Sequence, residues 1–290
     1  LDEGEQVTTM MPLPSDNENP PDLMFATKSG NVRRNALADF SNIQANGKIA
    51  MKLKDGDSLV GVVPCMKDED ILLSASKGKC MRFRSHDVRL FKGRGSIGVR
   101  GIRLKKDDFV ISISVLKHIE TDRDTRTLYL KAATAKRREE KQEYMPDKDF
   151  EEMNLNDQYI LTVAENGFGK RTSAYEYRIT NRGGQGIINI ETSERNGSVI
   201  GSFPVEDSDD VMLVTNAGRI IRSPVNDIRI ASRNTQGVTL FSIEKGETVV
   251  SVTAISTNED DQENIDSENL ESENIDSENI ESENIDLENV

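Results

Sequence analysis

"GRGSIGVRGIRL", residues 93–104, opens with G-x-G-x-x-G and so invites two incompatible folds. In a dinucleotide-binding domain this turn follows a strand, opens a helix and is answered by an acidic residue about 20 positions later. Here Gly98 leads into Val99, Gly101, Ile102 and Leu104 with arginines between them. A β-branched residue and a further glycine so close to Gly98 do not open a helix. The stretch reads as a loop feeding a strand, and the rest of the chain shows why.

Four segments align: "LMFATKSGNVRR" from Leu23, "ILLSASKGKCMRF" from Ile71, "ILTVAENGFGKRT" from Ile160 and "VMLVTNAGRIIRS" from Val211. Each is an apolar run, a short polar turn with glycine, and a second run, which is the pattern of a β-hairpin. The turn glycines are Gly30, Gly78, Gly167 and Gly218, and four residues after each stands an arginine: Arg34, Arg82, Arg171 and Arg222. A second glycine follows 17 to 20 residues later, at Gly47, Gly98, Gly186 and Gly237. After it come an alternating run and a closing strand, such as "SLVGVV" or "FVISIS".

The unit is thus about 50 residues of four strands with no helix between units. That predicts an all-β, propeller-like array of four-stranded blades. The expected boundaries are blades at 23–65, 71–116, 159–205 and 211–256, with an insertion at 117–158. Residues 1–22, with "QVTTMM", are expected to hold the trailing strand of a preceding blade and a linker. In this frame GRGSIG is an inter-strand loop, and its glycines are expected to let the backbone approach a ligand.

The net charge of −14 conceals a neutral body. Residues 258–290 hold fourteen acids and no base, which leaves 37 acids against 37 bases in the preceding 257 residues. Within that body the bases recur at matching phases. Arg89, Lys92, Arg94, Arg100, Arg103, Lys105 and Lys106 form a run with no acid up to Lys106, and smaller sets are Arg33 and Arg34; Lys170, Arg171, Arg178 and Arg182; and Arg219, Arg222, Arg229 and Arg233. Equivalent positions of a blade array lie on one rim, so these cations, together with Arg82, are expected to sum into an arc suited to a long polyanion. Duplex DNA carries one charge per about 1.7 Å of axis, and such contacts position a backbone while reading little sequence. With nine Phe, five Tyr and no Trp, single-strand binding by base stacking is disfavoured. A protein-interaction platform remains the rival reading, and an enzyme with its site in a ring channel a third.

The stretches "GVRGIRL", "ENGFGKRTSAYEYRITNRGGQG", "TSERNGSVIGSFPV" and "DIRIASRNTQGVTLF" resemble the C-terminal domain of the DNA gyrase A polypeptide. The sister family, the corresponding polypeptide of topoisomerase IV, has similar blades, and "SRNTQGVTLF" favours gyrase. The resemblance implies a β-pinwheel that wraps duplex DNA and supports negative supercoiling by the full enzyme. It implies partnership with the rest of gyrase A and with gyrase B, and a cytoplasmic, nucleoid-associated location in a bacterium. It implies no cofactor in this chain, ATP and Mg being used through other domains, and no catalysis by this chain alone, since the catalytic tyrosine domain is absent from it. The family's first blade carries a basic box Q-R-R-G-G-x-G. Only an echo is found, at Arg182, Gly183, Gly184 and Gly186, with Asn181 at the second basic position. The first blade is therefore expected to lie outside this chain.

Other classes lack support. No run of 18 apolar residues suggests a membrane helix, and "LDEGEQVTTM" lacks the layout of a signal peptide. Cys65 and Cys80 have no metal-ligand spacing and read as buried thiols; His86 and His118 lie near no nucleophile motif. The insertion is expected to form short helices or a flexible excursion. The tail, six pentamers from Asp261 to Val290, is expected to be disordered because it cannot bury enough apolar area. Its carboxylates could compete with phosphate for the rim.

Overall fold

The computed structural model describes residues 10, 19–40, 49–141 and 143–256. The expected trailing strand at "QVTTMM", the loop containing Gly47 and the acidic tail lie outside the described residues, apart from Met10. Fifteen strands and two helices follow in order among the described residues. They are β1 (Asp22–Thr27), β2 (Asn31–Ala36), β3 (Leu59–Cys65), β4 (Glu69–Ala75), β5 (Lys79–Arg84), β6 (Val99–Arg100), β7 (Val110–Lys117), α1 (Arg123–Arg137), α2 (Asp147–Asn156), β8 (Tyr159–Ala164), β9 (Phe168–Ser173), β10 (Ile187–Ile188), β11 (Val199–Val205), β12 (Asp210–Thr215), β13 (Ile220–Pro224), β14 (Val238–Thr239) and β15 (Val249–Ile255).

The hairpins β1–β2, β4–β5, β8–β9 and β12–β13 form as the turn glycines require. Gly30 has φ +85°, and its amide donates to the Thr27 carbonyl at 2.9 Å. Positive φ costs glycine nothing, so the two strands turn back within three residues. The closing strands β3, β7, β11 and β15 then pair antiparallel with the first hairpin strand of their own unit.

The fourth strand departs from the expected arrangement. The sheets run β3-β1-β2-β6, β7-β4-β5-β10 and β11-β8-β9-β14, whereas the last is β15-β12-β13. The outer strand of each of the first three sheets comes from the following unit. The run "VRGIRL" belongs by sequence to the second unit, yet its Val99–Arg100 pairs with Val32 and Asn31 of the first. We call the segment from the short 3-10 turn to this outer strand the strap. Each strap crosses from its own blade to the edge of the one before.

Apolar faces meet between successive sheets. Met24, Val32, Ile71, Leu73, Phe83 and Ile102 form one cluster across the first two. Leu72, Cys80, Leu116, Ile160 and Tyr177 join the second to the third, and Leu161, Val163, Val211 and Leu213 join the third to the fourth. The central strands are enclosed by sheet on both edges and packing on both faces, which is why they read as apolar runs. Burial pushes the thiols of Cys65 and Cys80 up to about 12, so both stay protonated and act as apolar filling.

The described residues of the insertion form two helices. Asp122 caps α1, accepting from the amides of Asp124 and Thr125, and Lys136 and Arg137 sit in its last turn where the helix dipole favours cations. Tyr129 packs on Phe150 of α2 at 5.5 Å and on Tyr175 at 5.0 Å, so the helix pair is fastened to the third blade.

Candidate nucleic-acid interface

The straps position the cations. The second strap leaves the 3-10 turn Ser85–Asp87, and the amide of Phe91 donates to the Arg34 carbonyl at 2.9 Å. Thr180 does the same to Arg82 at 2.9 Å, and Ala231 to Arg171 at 2.8 Å. Further along, Gly98 and Gly186 have positive φ, and a Cβ there would lie 2.2 Å from the Val32 carbonyl oxygen and 2.3 Å from that of Cys80. The second glycine therefore serves contact between backbones. At Gly98 it brings the strap against the preceding blade, so the expected open approach does not hold there, whereas at Gly93 and Gly95 of the same loop nothing lies within 4 Å of a Cβ.

GRGSIG also has the wrong polarity for a phosphate. The carbonyls of Gly93, Arg94 and Ser96 converge on the guanidinium of Arg33, the latter two at 2.7 Å. A phosphate loop turns amides toward its ligand; this loop turns carbonyls toward a buried cation. The third blade repeats the device, with Lys170 donating to the carbonyls of Ser232 and Arg233. Burial outweighs the help of Glu176 and pulls the Lys170 ammonium down to about 8.

The cations expected at the interface thus divide by environment. Arg33, Arg34, Arg82, Lys170 and Arg171 are buried, none more than 6% exposed. Arg82 binds Asp70 at 2.8 Å and donates to the carbonyls of Ala174 and Lys117; Arg171 reaches Asp207 and the carbonyls of Ile228 and Asn226. Arg34 faces Asp22 at 3.7 Å. The side chains of Arg33, Arg82, Lys170 and Arg171 tie blades together, Arg34 pairs within its own sheet, and all five are buried. A period in sequence marks equivalence, and equivalent positions can be equivalently buried.

Arg94, Arg182 and Arg233 are half-buried clasps, each four residues before the second glycine of its unit. Their Nη1 donates to the carbonyls of Ile49, Arg100 and Ile188, each two residues beyond the corresponding glycine of the preceding strap. Arg219 and Arg222 are exposed but paired, with Glu247 at 2.8 Å and with Asp210.

Arg89, Lys92, Arg100, Arg103, Arg178 and Arg229 remain exposed, with no ion pair among the described residues. Arg89, Arg178 and Arg229 share one register. Each follows a buried residue (Val88, Tyr177, Ile228) and precedes one bridged to the previous blade (Leu90, Ile179, Ile230). Arg182 links two straps, its Nε reaching the Asp87 carbonyl at 3.0 Å and its Nη1 that of Arg100 at 3.1 Å; the Arg103 amide donates to the Gly184 carbonyl at 2.7 Å. Neighbouring straps are therefore in direct contact.

The insertion adds cations that sequence reading did not single out. Arg123, Arg126, Lys131 and Arg138 line one side of α1 and its C-cap, a pattern visible as bases at i, i+3 and i+8 once the helix is known.

Comparison with known proteins agrees with this architecture. The family model described as "DNA gyrase C-terminal domain, beta-propeller" matches residues 21–66, 69–117, 158–206 and 209–256. The chain belongs to the DNA gyrase C-terminal domain family. Among similar relatives, the DNA gyrase A polypeptide of Rickettsia bellii (strain RML369-C) is 48% identical over 271 residues, covering 89% of this chain and 30% of that protein. The gyrase A polypeptide of Escherichia coli (strain K12) is 32% identical over 263 residues, covering 91% of the chain and 26% of the relative. The chain spans roughly a quarter to a third of these relatives' length. A solved gyrase A C-terminal domain superposes with a TM-score of 0.63 at 24% identity over 83% of this chain and 68% of that one. The C-terminal domain of a DNA topoisomerase IV gives 0.68 at 20% identity over 88% and 68%, a likeness of fold alone. No helix of the described gyrase-type domain is long and apolar enough to cross a membrane.

Proposed function

We propose that this gyrase C-terminal domain binds duplex DNA along the strap surface. Arg89, Lys92, Arg100, Arg103, Arg178 and Arg229 contact phosphates, and the clasp arginines Arg94, Arg182 and Arg233 hold the straps in register. Bending the duplex around successive blades then sets the path of the DNA, supporting negative supercoiling when the domain acts with the rest of gyrase A and with gyrase B. The domain itself catalyses nothing and takes no cofactor. The observation that carries this reading is the recurrence of exposed, unpaired arginines at one register, Arg89, Arg178 and Arg229, on straps joined by backbone contacts. Contacts of this kind release counterions, so affinity falls steeply between about 50 and 200 mM salt.

The test is topological. A nicked plasmid is ligated with the chain bound, the protein is removed, and the change in linking number is counted. A shift that grows with protein and is lost in Arg89→Gln/Arg178→Gln/Arg229→Gln supports wrapping. An unchanged linking number overturns wrapping, and absence of salt-dependent duplex binding overturns the DNA role and leaves the protein-interaction platform.

A further inference from the structure

We infer that the insertion carries a second phosphate-binding surface: a groove between α1 and the third blade that takes the backbone of the same duplex beyond the strap surface. The inference rests on the DNA-binding reading above and names a part of the interface that the blade repeats do not contain.

The groove is shallow and open to solvent, with a volume of about 730 Å³, and its cations are Arg123, Arg126, Lys131, Arg138, Arg178 and Arg233. Two acids, Glu140 and Glu176, share it. Glu176 is already engaged, accepting from the Arg233 amide at 2.9 Å, and Glu140 stands 4.0 Å from Arg138. The balance is positive. The groove shares Arg178 with the strap surface, so the two are continuous. A duplex following Arg178 meets α1 next.

The helix is fixed well enough to serve. Its inner side is anchored by Tyr129, which is fully buried and donates to Asp157 at 3.0 Å, and Arg123, Lys131 and Arg138 face out as exposed side chains. Fifteen residues give α1 a length of about 22 Å, or roughly two-thirds of a DNA helical turn. An acidic protein segment would also be attracted, and the shared Arg178 favours DNA over it.

The test uses the 290-residue chain and a 60-base-pair duplex, comparing Arg123→Gln/Lys131→Gln/Arg138→Gln with the strap variant Arg89→Gln/Arg229→Gln. All five positions are exposed, and unchanged circular dichroism and melting temperature check the fold. The groove variant is expected to lower the slope of log affinity against log salt by about 3, at about 0.9 per phosphate contact, and to shorten the hydroxyl-radical footprint at one end. Arg123→Lys/Arg138→Lys is expected to keep most of the slope. If the groove variant leaves slope and footprint unchanged while the strap variant weakens binding, the groove is overturned and the DNA role stands; an acidic protein as occupant gives that same result. If the wild-type chain shows no salt-dependent binding, both readings fall.

Discussion

Arg82 and Arg222 occupy the same position of the repeat, four residues after the turn glycine, and make opposite demands on stability. Arg82 neutralises Asp70, whose side chain is fully buried, and holds two carbonyls of neighbouring segments. Arg82→Leu leaves that carboxylate without its guanidinium and is expected to cost about 3–5 kcal/mol. Arg222 is half exposed beside Asp210, and Arg222→Leu is expected to cost at most about 1 kcal/mol. Urea melts of the two variants check this, and equal losses would refute it. Glycines divide in the same way. Gly186→Ala sets a Cβ 2.3 Å from the Cys80 carbonyl at φ +70° and should unfold at clearly lower urea than Gly56→Ala. At Gly56 nothing lies within 4 Å, and only the left-handed strain of roughly 1–2 kcal/mol remains. The repeating glycines and arginines were legible in the sequence because both are rare and periodic. What they do was not. The period says that Arg34, Arg82 and Arg171 are equivalent, but whether that shared position faces water depends on a strap arriving from the next unit.

At the scale of elements, the hairpins and closing strands could be read from local pattern, since each is a short apolar run bounded by a turn. The two-residue outer strands β6, β10 and β14 pair across units, and no local pattern records a partner more than 60 residues away. The insertion was read only as helices or an excursion because its docking depends on contacts with Tyr129, Phe150 and Tyr175. Asp157, at the C-cap of α2, ties this element down by accepting from Tyr129 on α1 and Ser173 on β9. Burial raises its carboxyl to about 6, against about 3.9 unfolded. The folded state therefore holds an extra proton between those values. The contribution of Asp157 to stability is full below about pH 4 and is lost as pH rises through 6. Asp157→Asn is expected to remove this window. The difference in melting temperature between wild type and variant, followed from pH 4 to 7, should shift in the variant's favour across pH 4–6. A constant difference would refute the assignment.

The whole molecule is a chain of edges closed in sequence. Three sheets receive an outer strand from the following unit, while the fourth, among the described residues, ends at β13, with Ile220 66% exposed. Backbone groups on such an edge lack partners and exchange readily. Hydrogen exchange is expected to reach residues 220–224 before the equivalent strands β2, β5 and β9; equal protection would mean that this edge is covered in solution. Strand donation also carries a schedule. The acceptor β2 ends at Ala36 and its donor β6 begins at Val99; β5 ends at Arg84 and waits for Ile187. At a synthesis rate of about 5–20 residues per second, the first blade leaves the ribosome unfinished for about 3–13 s and the second for about 5–20 s. The helical insertion lengthens that second delay, so a nascent chain stalled before residue 187 should present β5 as a raw margin, open to chaperones or to the neighbouring chain on the same polysome.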